Sequence, residues 1–83
     1  MTTIASVSGV ILVTCKDNAC KNIIEIAKSR INGVTSAFRV EKKDSDSPDV
    51  IINIDAESKE QLLTVKDNVL NMKGVDKIKY RIT

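Results

Sequence analysis

Residues 9–34 read GVILVTCKDNACKNIIEIAKSRINGV, an apolar run, two cysteines, a helical pattern and a Gly-Val pair in that order. From Val10 to Val13 no polar side chain intervenes, which suits a central strand covered on both faces. Asn18 or Asp17 caps a helix starting near Ala19, and Cys20, Ile24, Ala27 and Ile31 follow at helical spacing. Gly33 stops that helix, because glycine takes the left-handed conformation cheaply, and Val34 folds back as the usual apolar contact.

The same unit then recurs. Sliding the chain so that Gly33 falls on Gly74 also places Val10 on Ile51, Ile11 on Ile52, Val13 on Ile54, Ile24 on Val65, Ile31 on Met72 and Val34 on Val75. Each half is therefore a strand, a helix, a Gly-Val stop and an alternating strand. In the second half Val50, Ile52, Ile54 and Ala56 share one strand face. Ser58 with Gln61 forms a capping box, and it opens a helix buried through Leu62, Val65, Val69 and Met72. "TSAFRVE" closes the first unit with Phe38 and Val40 on one face. "KIKYRIT" closes the second with Ile78, Tyr80 and Ile82 inward and Lys77, Lys79 and Arg81 outward. Between the units "EKKDSDSPD" is a charged hairpin tip, with Pro48 placed just before a strand.

The order βαββαβ predicts an α+β, ferredoxin-like domain over residues 1–83: a four-stranded antiparallel sheet, strands one and three central, both helices on one face. Two helices leave the other face bare. On the first strand either Val10 and Leu12 or Ile11 and Val13 must point to it, and on the third Ile51 and Asn53 lie opposite the Val50 set. An aliphatic bare face is an interaction surface, so a homodimer or higher homo-oligomer built sheet to sheet is expected. RNA-binding sheets of this topology stack bases on aromatics of the two central strands. Phe38 and Tyr80, the only aromatics, lie on outer strands, and a net charge of +2 is small, so direct nucleic-acid binding is not expected.

Composition excludes more than it suggests. The 83 residues contain no histidine, which removes the commonest general base and the commonest zinc ligand. No nucleophile has a base marked out for it, so the chain reads as a binder and not an enzyme, with no cofactor expected. No leader or membrane span is apparent, so a cytoplasmic protein is expected, and cysteines there are usually reduced. Cys15 ends the first strand and Cys20 opens the first helix, so both border one loop. The plain reading makes them small packing residues. The sharper one makes them a soft-metal pair, and the helix N-terminus with Lys16 and Lys21 favours Cys20 as the more reactive thiol. Cysteines in the first loop of this fold resemble the heavy-metal-associated copper domains, although those space the pair by two residues and this chain by four.

Taken together, the buried first strand, "INGV", "DVIINIDAES", "MKGV" and the last alternating strand resemble the effector domain of Lrp/AsnC regulators over residues 8–83. The resemblance implies a stand-alone effector domain without a helix-turn-helix, dimers packed sheet to sheet, and amino-acid-sized effectors bound between dimers. In "DSPD" Asp49 matches the aspartate of that family's Gly-x-Tyr-Asp motif, which makes it the ligand-binding residue implied. Asp46 and Pro48 stand where the glycine and the aromatic are usual. A second resemblance, to the small chaperone of periplasmic nitrate reductase assembly, implies a twin-arginine signal peptide as partner.

Overall fold

The computed structural model describes residues 7–16, 18–41 and 47–82. Its elements run β1 (Val7–Cys15), α1 (Cys20–Arg30), β2 (Val34–Arg39), β3 (Val50–Ala56), α2 (Lys59–Leu70) and β4 (Val75–Ile82). The strands form one antiparallel sheet in the order β2-β3-β1-β4, so the ferredoxin-like layout and the central places of β1 and β3 are as the sequence predicts.

Register settles which residues face the helices. Directly opposed residues of antiparallel strands share a face. Ile11 pairs with Ile52 and Tyr80, and Val13 with Val50 and Ile78. Ile11, Val13, Val50 and Ile52 are fully buried beneath Ile23 of α1 and Leu62 and Val69 of α2. Each such aliphatic side chain contributes roughly 1.5–3 kcal/mol when fully buried. The core contains no aromatic residue. Val10 and Leu12 therefore point away from the helices, together with Ile51 and Asn53.

The helices follow their signals with local departures. Ser58 Oγ accepts the Gln61 N–H at 3.1 Å, as the capping box requires. The return arm differs: Gln61 Oε1 accepts the N–H of Glu57 at 2.8 Å instead of that of Ser58. The N-cap of α1 is Ala19, which makes no side-chain cap hydrogen bond, so Asn18 does not cap it; Asp17 lies outside the described residues. The buried stripe of α1 is Cys20, Ile23 and Ala27, one residue off the predicted Ile24, which is only half-buried. Residues 42–46 of the charged hairpin also lie outside the described residues.

Strand β2 breaks the regular alternation. A register irregularity between Val34 and Ser36 puts Val34 opposite Ile54 and Ala37 opposite Ile52, both on the helix side. Phe38, opposite Ile51, is thereby on the open face and 46% exposed. An irregularity of this kind adds a residue to one strand and re-aims the side chains beyond it.

Gly33 and Gly74 have φ of +96° and +93°, as both Gly-Val stops demand. They are not equivalent. A Cβ on Gly33 would press on the Asp55 carbonyl at 3.0 Å, whereas one on Gly74 would overlap the Cβ of Ala19. Gly74→Ala should thus lower unfolding free energy by about 1–3 kcal/mol in urea melts. Ala19→Gly in the same chain should recover part of that loss. Strict additivity of the two changes would contradict the packing described.

Candidate functional site

Three residues separated in sequence meet at one end of the sheet. β1 ends at Cys15, where its pairing with β4 shifts register and Cys15 comes opposite Val75. Lys16 N–H then donates to the Gly74 carbonyl at 2.7 Å, and Ala19 N–H donates to the Lys16 carbonyl at 3.0 Å. This tight turn delivers Cys20 to the first position of α1 with its Cα 5.5 Å from that of Cys15. The two sulfurs are joined as a disulfide. The separation is ordinary for such a bond.

The bridge corrects the expectation of two reduced thiols. The turn from β1 into α1 brings the two residues to a separation at which the bond can form. The expected ranking of the cysteines also changes. Cys20 is 4% exposed, buried among Ile23, Ala27 and the sheet, while Cys15 is half-buried and is the more exposed residue of the pair.

Asp49 stands beside the pair, one residue before β3. Its N–H donates to the Val13 carbonyl at 2.8 Å and its carbonyl accepts the Val40 N–H at 2.9 Å. Its carboxylate Oδ2 accepts the Cys15 N–H at 3.0 Å. A carboxylate oxygen of Asp49 and both sulfurs lie within 4.8 Å of one another. The sequence marks Asp49 and the cysteine pair for different reasons, and the structure brings all three together. Their proximity was not legible, because it needs the Val13–Val50 pairing of β1 with β3.

The second candidate is the open sheet face. Its middle row runs Lys79, Leu12, Ile51 and Phe38 across all four strands. The next row runs Arg81, Val10, Asn53 and Ser36, where Asn53 Nδ2 donates to Ser36 Oγ at 2.8 Å. Beyond them Ser8 Oγ donates to Asp55 Oδ1 at 2.7 Å. The face is apolar at its centre, basic along β4 and polar at one end. A recess of about 90 Å³ beside Leu12, Pro48 and Lys79 is far below the ~300–1,000 Å³ of small-molecule sites. A wider hollow of about 660 Å³ opens at the N-terminal end of α1, between Lys16, Asn22 and Lys73. Among the described residues no helix is long and apolar enough to cross a membrane.

Several solved structures have this architecture. The protein TTHA0845 of Thermus thermophilus superposes with a TM-score of 0.79 at 17% identity, over 93% of this chain and 91% of that one. AsnC of E. coli superposes at 0.75 with 16% identity, over 93% of this chain and 50% of its own. The transcriptional regulator NMB0573 of Neisseria meningitidis, solved as a complex with L-Met, superposes at 0.71 with 15% identity, over 93% and 49%. The chain thus spans about half the length of those two regulators and carries the fold of one of their parts. No protein-family model matches the sequence, and no curated protein matches it significantly.

The bridge is directly measurable. A thiol probe should find no free cysteine in the folded, unreduced protein and two after reduction, with Cys15 modified before Cys20. In the chain-entropy account a loop this short gives a disulfide about 2 kcal/mol, so reduction should lower the urea midpoint accordingly. Labelling of both cysteines without reductant would contradict the bridge.

Proposed function

We propose that the chain is a small, non-catalytic regulatory module of the Lrp/AsnC effector type, which pairs through its open sheet face and responds to an amino-acid-sized ligand. The observation that carries this reading is the apolar row Leu12–Ile51–Phe38, uncovered at the centre of the sheet. Its shared fold with AsnC, and with a regulator solved with L-Met, supports the regulatory half.

The row also favours one way of pairing. A two-fold axis parallel to the strands, between β1 and β3, lays each row across itself in the partner. Leu12 then covers Ile51, and Lys79 covers the ring of Phe38, a cation–π pairing worth roughly 0.5–1 kcal/mol at exposed sites. An axis across the strands would instead stack Lys77, Lys79 and Arg81 on their own copies, where like charges repel. The recess beside Leu12, Pro48 and Lys79 is about 90 Å³, so a ligand held there would be enclosed by the second copy. Asp49 is the carboxylate through which the sheet end would meet a ligand.

Light scattering should give a multiple of 9.1 kDa for the native chain. Val10→Lys should give a folded 9.1 kDa species, since Val10 is on the open face, whereas Val13→Lys should not fold. An unpaired charge buried at a fully enclosed site costs several kcal/mol, comparable to the ~5–15 kcal/mol stability of a whole domain. A native chain that scatters as a strict monomer would refute pairing. A thermal-shift screen of the amino acids against a twin-arginine peptide tests the ligand. Ligand at 100 times its dissociation constant should stabilise the chain by about 2.7 kcal/mol, and stabilisation by the peptide alone would replace the effector reading with that of a peptide chaperone.

A further inference from the structure

We propose that reduction of the Cys15–Cys20 disulfide converts the corner into a binding site for a borderline-soft divalent cation of the zinc class, held by both sulfurs and Asp49. The proposal does not depend on the pairing of the sheet or on an amino-acid effector.

Three observations carry it. The donor atoms already lie within 4.8 Å of one another. Around a tetrahedral ion with bonds of about 2.0–2.3 Å, ligand atoms stand roughly 3.5–4 Å apart, so after reduction the sulfurs open from bonded contact to that spacing while the Asp49 oxygen stays within reach. The donors come from three places in the chain, the end of β1, the first turn of α1 and the residue before β3, each anchored by backbone hydrogen bonds. Finally, Cys15 N–H holds the Asp49 carboxylate at 3.0 Å, which fixes its direction beside the sulfurs. Ligating carboxylates are commonly held by hydrogen bonds of that kind.

Donor chemistry selects the ion. Two thiolates with one carboxylate suit zinc, or cobalt as its spectroscopic substitute, and suit magnesium or calcium poorly. With no histidine in the chain, the fourth position is left to water or to a group from a second copy. The negative charge of two thiolates falls at the N-terminus of α1, where the helix dipole favours it.

The redox step balances with a dithiol reductant. Its thiolate attacks the sulfur of Cys15, the more exposed residue of the two, the Cys15–Cys20 bond breaks, and Cys20 leaves as a thiolate at the helix N-terminus. The reductant's second thiol then displaces Cys15 and departs as a cyclic disulfide, leaving two protein thiols. Binding of the cation releases their two protons to solvent. Oxidation reverses the sequence and expels the ion, so the corner holds either a covalent bridge or a metal.

The test is cobalt titration of the whole chain, reduced and then freed of reductant and metal under anaerobic conditions. The expected result is one Co²⁺ per chain, a thiolate-to-cobalt charge-transfer band, and displacement of that band by Zn²⁺. Cys15→Ser or Cys20→Ser should abolish the band. Asp49→Asn keeps an oxygen able to accept the Cys15 N–H, so it should retain the fold, checked by its thermal melt, while weakening binding at least tenfold. The diamide-oxidised chain should bind none. The proposal is overturned if the reduced chain shows no thiolate band, if the oxidised chain binds equally, or if folded Asp49→Asn binds as tightly as the native protein.

Discussion

Two helices can cover only one face of a four-stranded sheet, yet strand β1 is apolar on both. The rest of the structure depends on how that mismatch is resolved. Ile11 and Val13 take the covered side, fully buried under Ile23, Leu62 and Val69, and Val10 and Leu12 are left on the other. Side chains alternate along a strand, so a slip of one residue would exchange the two sets at once. The register of β1 against β3 thereby fixes the core, the exposed row and the position of Asp49 together.

That same register builds the sheet-end corner. Because Val13 lies opposite Val50, the residue before β3 reaches the end of β1, and Asp49 closes onto the Val13 carbonyl and the Cys15 N–H. The turn into α1 then returns Cys20 to the same place. Packing and chemistry are thus coupled at the corner, since the bridge ties the central strand to the helix that covers β2 and β3.

Much of this was legible in the residues. The repeated strand–helix–Gly-Val pattern carried the element order, and the two glycines do adopt the positive φ that the pattern required. Alternation in β3 told which side chains face inward; in β4 it put Ile78 and Tyr80 on the side of Val13 and Ile11, but Tyr80 and Ile82 remain exposed there. Alternation in β1 could not, because a run with apolar residues at every position has no polar face to mark its outside. In β2 the cause is different: the irregularity after Val34 sets Phe38 on the open side, and no Gly or Pro announces it. At the corner the spacing of Cys15 and Cys20 placed them on one loop but was silent on bonding. Asp49 was singled out by its motif, and only the fold shows what it stands beside.

The central claim is that the Leu12–Ile51–Phe38 row is covered by a second copy of the chain. Isotope-filtered nuclear Overhauser measurements on a mixture of labelled and unlabelled protein read that contact directly. The account predicts intermolecular cross-peaks from Leu12 to Ile51 and from the Lys79 side chain to the Phe38 ring. Cross-peaks confined to the helices, or none at all, would contradict it.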